Sequence, residues 1–225
     1  MDAGARLRLF QLVSPALPVG AFSYAEGLEV LVQQGLIGDG PALEAWLQAE
    51  LRRGAVAMEA AALATLASGW QRWRQGLADA CAIQELDGWL LAQREAPELR
   101  AQQRQMGRSL LELLADLGWP LPGPAGPLAW PAAFAWAAVC LEIASPAIEE
   151  AYLYGWVANQ ISAAVRLVPL GPTQGQRLQL ALAPLLAERS AELALADPHR
   201  LWNGGVGAGL AQLRQAELYS RLFRS

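Results

Sequence analysis

Lysine is absent from this 225-residue sequence, so all 17 residues in its lysine-plus-arginine total are arginines. Without lysine the chain cannot carry a Walker A motif, a Schiff-base lysine or a lysine general base. Histidine and cysteine are almost as scarce, because only His199, Cys81 and Cys140 are present. These residues offer very little from which to build a Ser-His-Asp triad or a His/Cys metal cage. The sequence therefore predicts a protein that is not an enzyme and that holds neither a cofactor nor a metal site of its own.

An excess of positive charge is also missing, since the formal net charge is −4. Nucleic-acid binding normally requires a basic face, so we expect no nucleic-acid partner. No N-terminal run resembles a cleavable signal and the two cysteines are far apart, which predicts a reduced, cytoplasmic compartment. The longest helical apolar stretch is interrupted by Asn159, Gln160 and Arg166, so we expect no membrane span.

Apolar residues are abundant, at 54% of the chain, and they recur at helical spacing without strand-like alternation. This predicts an all-α fold, a single-domain helical bundle of about eight to ten helices spanning residues 1–225. At its centre we predict a helix at about 146–168 that is apolar nearly all round. Ser145 is expected to cap this helix and Pro146 to lie in its first turn, while Pro169 and Gly171 end it.

The segment SPALPVGAFSYAEGLE, residues 14–29, combines two prolines and a glycine with Ser23 and, three residues later, Glu26. This spacing is typical of a capping box that opens a helix. The simpler interpretation is a stiff loop followed by a well-capped helix. The alternative interpretation is a surface that binds a partner.

Arg100, Arg104 and Arg108 recur at four-residue steps on one face of a predicted helix, and Glu112 follows at the same spacing. Such a row is more often a solvated face than a patch for an acidic partner, and the sequence leaves both interpretations open.

Three blocks of sequence resemble the UreF family of urease accessory proteins, and together they extend the likeness over essentially the whole chain. They are SPALPVGAFSYAEGLE at 14–29, YLYGWVANQISAAVRLVPLGPTQGQRL at 152–178 and YSRLFRS at 219–225, with weaker support from ELR and QMGRSLL between 98 and 111. One departure lies before the last block, where the family commonly has a Met-Arg-His-Glu run and this chain has Leu213, Arg214, Gln215 and Ala216 followed by Glu217. A histidine role at that place cannot be carried over.

The resemblance implies an all-helical homodimer that acts as a scaffold and chaperone in nickel insertion into urease. It implies that the protein binds a UreD/UreH-type accessory protein, recruits the nickel-carrying UreG GTPase with it, and meets urease apoprotein through that complex. An alternative is that the protein regulates GTP hydrolysis by UreG. The residues that we predict to bind partners belong to the first and last blocks: Pro15, Pro18, Gly20, Phe22, Ser23, Tyr24, Glu26, Gly27, Glu29, Tyr219, Ser220, Arg221, Leu222, Phe223, Arg224 and Ser225.

The C-terminal segment at about 217–225 is predicted to be a flexible tail that becomes ordered when the UreD/UreH-type partner binds. Its apolar residues are Tyr219, Leu222 and Phe223, which would be unusual in a permanently solvated terminus. The other interpretation is that the tail packs permanently on its own subunit. We also predict that Arg221 anchors the tail to residues 14–29, whose turn exposes backbone carbonyls and whose Glu26 and Glu29 offer carboxylates.

Overall fold

Ten α-helices account for most of the computed structural model, which describes residues 3–225. No strand occurs within these residues, so the predicted all-α fold is confirmed. The helices are α1 Ala3–Leu12, α2 Leu28–Gln33, α3 Gly40–Arg53, α4 Ala55–Arg74, α5 Cys81–Ala92, α6 Pro97–Asp116, α7 Trp130–Cys140, α8 Ala147–Leu167, α9 Pro172–Leu193 and α10 Val206–Arg214. Short 3-10 turns at Ala21–Ser23, Pro198–Arg200 and Gln215–Glu217 join some of them.

The centre of the bundle is formed by α4, α7 and α8 together. Helix α4 contacts α3, α5, α7, α8 and α9, and every residue of α7 after Trp130 is buried. Trp70 of α4 is fully buried and donates its indole N–H to the carbonyl oxygen of Ala132 on α7, at 2.9 Å. The helix predicted at 146–168 is observed as α8, but it shares the central position with α7 and leaves Tyr154 44% exposed. No helix among the described residues is both long and apolar enough to cross a membrane.

The N-terminus of α8 differs from the prediction, because Ser145 does not cap it. The N-cap residue is Pro146, and no side chain accepts a hydrogen bond there. The Ser145 hydroxyl instead donates to Oε1 of Glu149, at 2.8 Å. Glu149 is completely buried, so its carboxylate needs a donor more than the first helical amides need an acceptor. The C-terminal end agrees with the sequence, since the helix stops immediately before Val168 and Pro169.

The row of arginines on α6 mainly serves the fold. Arg100 donates to the backbone carbonyls of Arg94 and Glu95, at 2.6 and 2.7 Å. Arg104 pairs with Asp87 at 3.1 Å and also donates to the carbonyl of Pro127. Of the three arginines only Arg108 faces solvent in the way that the simpler interpretation predicted, so neither interpretation describes the whole row.

The proline-rich connection between α6 and α7 is fixed by the same Asp87. Its Oδ1 accepts the backbone N–H of Ala129 at 2.8 Å, while its Oδ2 faces Arg104. Beside this clamp, a Cβ added to Gly107 of α6 would lie 2.6 Å from the carbonyl oxygen of Leu128. The loop backbone therefore packs directly on the helix, and only glycine leaves room for it.

Candidate partner-binding site

The predicted capping box at Ser23 and Glu26 is absent, and the backbone explains why. Ser23 lies in a 3-10 turn. Helix α2 begins after Gly27, which is its N-cap residue, and no side chain caps this end of the helix. Glu26 and Gly27 both adopt left-handed backbone conformations, with φ of 50° and 84°. This reversal leaves the Glu26 side chain 6% exposed, inside the protein instead of folded back along the helix. Gly27 is required at the turn, because an added Cβ would lie 2.8 Å from the backbone nitrogen of Gln212.

Glu26 belongs to a buried ionic cluster that the sequence analysis did not identify. Arg94 lies between two carboxylates: its Nε is 2.8 Å from Glu59 Oε1, and its Nη1 is 3.5 Å from Glu26 Oε2. The Tyr152 hydroxyl donates to Glu59 Oε2 at 2.8 Å. Trp156 Nε1 donates to Glu26 Oε2 at 3.1 Å, which ties α8 to the 14–29 segment. The cluster thus connects the 14–29 segment, α4, the end of α5 and α8.

Burial sets the electrostatics of this cluster. Burial raises the pKa of Glu59, although Arg94 opposes the shift. Burial also raises the pKa of the Tyr152 phenol, and the neighbouring Glu59 carboxylate adds to that effect. For Arg94 burial works in the opposite direction, but the carboxylates of Glu59 and Glu26 outweigh it and raise its pKa. Arg94 is therefore a permanent cation between two acidic side chains.

The end of the C-terminal segment is bonded to the 14–29 segment through the backbone. The carbonyl oxygen of Ser225 accepts the N–H groups of Ala25 and Glu26, at 2.8 and 2.9 Å. The N–H of Arg224 donates to the carbonyl of Ser23 at 2.9 Å. The two segments that the sequence singled out, more than 190 residues apart, are thus joined in one unit.

Glu29 is the side chain that holds the C-terminal segment. It is 4% exposed and accepts the backbone N–H groups of Leu222 and Phe223 at 2.8 and 3.1 Å, and the Gln215 amide at 3.1 Å. The prediction that Arg221 is the anchor was wrong, since Arg221 is exposed and makes no hydrogen bond or ion pair with any residue that the structure describes. Buried backbone amides must be paired, whereas an arginine head group can remain in water, so the amides take the carboxylate.

Phe223 provides the apolar contact of this junction. It is 4% exposed, and the guanidinium of Arg166 on α8 lies 4.6 Å from the centre of its ring. Arg166 also reaches the carbonyl of Phe22, at 3.5 Å. The predicted tail therefore has a packed end at 223–225, as the interpretation of permanent packing required, and an exposed part at 219–222. Its mobility in the isolated protein stays a prediction.

The predicted partner-binding residues separate into buried and exposed sets. Those that are buried hold the junction together: Tyr24, Glu26, Gly27, Glu29, Phe223 and Ser225. Gly20 and Ser23 are half-buried. Those that are exposed are Pro15, Pro18, Phe22, Tyr219, Ser220, Arg221, Leu222 and Arg224. We call Phe22, Tyr219, Leu222 and Arg224, the exposed residues that flank the junction, the composite surface.

Glu59 and Arg94 of the buried cluster were not among the residues predicted from the sequence, although the sequence contains a signal for Glu59. Glu59 stands alone among apolar residues in AVAMEAAALA, residues 55–64. A single charge at a core position of a helix implies a buried partner of opposite sign. Nothing in the sequence indicates that this partner is Arg94, because the pairing depends on how α4 and α5 pack.

Soft-metal ligands are scattered in the structure. His199 packs against Trp89, with ring centres 4.4 Å apart, while Cys81 is exposed and Cys140 is buried. Among residues 3–225, no three His, Cys, Asp or Glu side chains are grouped so that they could hold a metal ion.

Comparison with known proteins shows which family the sequence resembles. The sequence model of the UreF family matches residues 37–183. A urease accessory protein UreF from Alkalilimnicola ehrlichii is 40% identical over 224 residues, covering 98% of this chain and 96% of its own. The UreF of Microcystis aeruginosa is 38% identical over the whole length of both chains. That of Methylibium petroleiphilum is 41% identical, covering 99% of this chain and 95% of its own.

Proposed function

Because this chain belongs to the UreF family of urease accessory proteins, we propose that it is a non-enzymatic scaffold in nickel insertion into urease. In this role it bridges a UreD/UreH-type accessory protein and the nickel-carrying UreG GTPase, and the resulting complex meets urease apoprotein. The protein supplies surfaces and geometry to these partners, and the chemistry of nickel binding and GTP hydrolysis belongs to them.

The observation that carries this proposal is the composite surface. Phe22 is 70% exposed and Leu222 is 51% exposed, although both are next to bonded stretches of backbone, and Tyr219 is fully exposed. Large aromatic side chains and arginines, such as Arg224 here, supply most of the binding energy of protein interfaces. At Phe22, Leu222 and Arg224 the junction fixes the neighbouring backbone, so little conformational entropy remains to be lost there when a partner binds.

The composite surface can be tested by co-purification. We would express the chain with the UreD/UreH-type protein and UreG of its own organism and compare the wild type with a Phe22→Ala/Leu222→Ala double variant. The matched control is Leu77→Ala, since Leu77 is 67% exposed but lies between α4 and α5, outside both segments. We expect the double variant to weaken capture by about tenfold or more and the control to leave it unchanged. Undiminished capture by the double variant would contradict the assignment of this surface.

A homodimer is part of the same proposal. Helix α10 exposes Val206, Leu210 and Leu213, at 69%, 51% and 41%, and their spacing places them on one face. An apolar face of this kind usually marks an interface. Light scattering at micromolar concentration is expected to give twice the protomer mass of 24.1 kDa. A monomer mass alone would count against the dimer.

A second candidate function is regulation of GTP hydrolysis by UreG, and two exposed arginines favour it. Arg221 and Arg224 are exposed beside the junction, and neither side chain is paired with an acidic residue within the described part of the chain. An arginine that reaches a GTPase from a partner can stabilise the charge that develops on the transferred phosphoryl group. Single-turnover hydrolysis by UreG, measured with the wild type and with Arg221→Ala/Arg224→Ala, distinguishes this role: equal rates exclude it.

A further inference from the structure

A cavity of about 340 Å³, with Phe22 of the composite surface in its lining, lies between the first half of the 14–29 segment and helices α6, α7 and α8. Its volume falls in the range of small-molecule sites. Phe22 and Tyr154, which are 70% and 44% exposed, lie among its lining residues toward solvent. Most of its wall is apolar, and the apolar lining includes Leu12, Leu17, Met106, Trp130, Phe134 and Trp156.

The polar part of the lining includes the carboxylates of Glu26 and Glu59, and the three donors that bond them from the same lining, Tyr152, Gln102 and Trp156, are already engaged. Glu26, Glu59, Gln102, Gln103 and Tyr152 all line the cavity. The Tyr152 hydroxyl already donates to Glu59, and the Gln102 amide already donates to Glu26, at 2.8 and 3.1 Å. This part of the wall therefore favours a ligand that donates hydrogen bonds.

The charged groups at this end of the cavity indicate which charge a ligand should carry. Glu26 and Glu59 share the single guanidinium of Arg94, so when both are ionised the cluster has one negative charge in excess. Glu50 interacts electrostatically with Glu26, but it has Arg53 as a further counter-charge, so this second pair leaves the excess of one negative charge unchanged. A buried charge without a partner is strongly unfavourable, and a cation in the cavity would supply that partner.

We propose that this cavity binds an organic cation with an apolar stem, namely an ammonium or guanidinium group on an alkyl chain. Its head group donates to Glu26, while the stem packs on the apolar wall. Charge-assisted hydrogen bonds of this kind are the strong ones, and the desolvated wall favours the stem. The proposal does not depend on the scaffold role.

Calorimetric titration with n-butylguanidinium and with its neutral analogue n-butylurea tests the proposal. We expect the cation to bind at least about tenfold more tightly, because charged hydrogen bonds are lost in the analogue. Glu26→Gln should remove most of that preference, whereas Glu112→Gln, at an exposed acid on α6, should keep it. Equal affinity for the two probes, or binding of neither, would overturn the proposal.

A second variant keeps the test valid if Glu26→Gln fails to fold. Gly155 lines the cavity from α8, and a Cβ added to it would meet nothing within 4 Å. Gly155→Leu should therefore fold, fill the cavity and abolish n-butylguanidinium binding. Unchanged binding by this variant would place the cation elsewhere and refute the site.

The natural cation has two possible sources, which the same reagents separate. If it is a lysine or arginine side chain of a partner protein, saturating n-butylguanidinium and the Gly155→Leu change should each release co-purified UreD/UreH-type protein or UreG. If it is a free amine or guanidine, both treatments should leave that capture intact. If the proposed scaffold role is wrong, only these capture measurements change, and the titrations still give the predicted result.

Discussion

Replacing Glu29 by glutamine is expected to release the C-terminal segment while leaving the helical fold in place. The carboxylate accepts three hydrogen bonds, from the N–H groups of Leu222 and Phe223 and from the Gln215 amide. Glutamine turns one acceptor oxygen into a donor, so at least one of these donors faces another donor and the others lose their charge assistance. Hydrogen bonds to charged groups contribute about 1.5–3 kcal/mol each, so docking of the segment should weaken by about 3 kcal/mol.

That loss is comparable with another of the favourable terms that hold the segment. Burial of the Phe223 side chain contributes about 1.5–3 kcal/mol before ordering entropy is subtracted. A weakening of about 3 kcal/mol corresponds to roughly a hundredfold increase in the undocked population.

Native-state hydrogen exchange, followed by mass spectrometry, measures this population directly. In Glu29→Gln the amides of residues 222–224 should exchange roughly a hundredfold faster, and so should those of Ala25 and Glu26, which donate to Ser225. Circular dichroism should show unchanged helix content, and Glu112→Gln serves as the exposed control. Unchanged exchange at both sides of the junction would refute the assignment of Glu29 as its anchor.

The remaining predictions concern the core. Burial raises the pKa of Glu50 from 4.5 to about 7, so the folded protein holds this proton more tightly than the unfolded chain, and the free energy of unfolding should fall by about 3 kcal/mol as pH rises from about 4.5 to 7. Denaturant titrations should show that Glu50→Gln removes this part of the pH dependence; an identical slope in the variant would contradict it. Gly107→Ala should destabilise the protein by about 2–3 kcal/mol, because its Cβ meets the Leu128 carbonyl, whereas Gly155→Ala should stabilise it by about 0.5–1 kcal/mol. Thermal melting compares the two, and a Gly107→Ala variant that melts at or above Gly155→Ala would be inconsistent with the packing described.

Local patterns in the sequence were enough to predict the helices and the two segments of the junction. Apolar periodicity between Ser145 and Gly171 predicted α8 to within a residue or two of its observed bounds, Ala147–Leu167. The same reasoning failed where tertiary contacts override local preference. Ser145 bonds a buried carboxylate instead of capping the helix, and the Ser23 and Glu26 spacing hides a left-handed turn at Glu26.

The contacts between distant segments could not be predicted from periodicity. The sequence indicated that residues 219–225 should dock on residues 14–29, and it offered Arg221 and two acids as the means. The structure uses Glu29 with backbone amides, which carry no side-chain signature. The pairing of Arg94 with Glu26 and Glu59 likewise depends on helix packing, which brings together residues 35 and 68 positions apart.

The scaffold role itself is tested most directly by one reconstitution. The chain is co-expressed with the UreD/UreH-type protein, UreG and urease apoprotein of its own organism, and complexes are resolved by gel filtration with light scattering, with urease activity measured in parallel. The account predicts that the wild type co-elutes with the UreD/UreH-type protein and UreG and supports urease activation, and that deletion of residues 219–225 abolishes both while the helical signal survives. A wild-type chain that captures neither partner, or a deletion variant that still assembles the complex and activates urease, would contradict it.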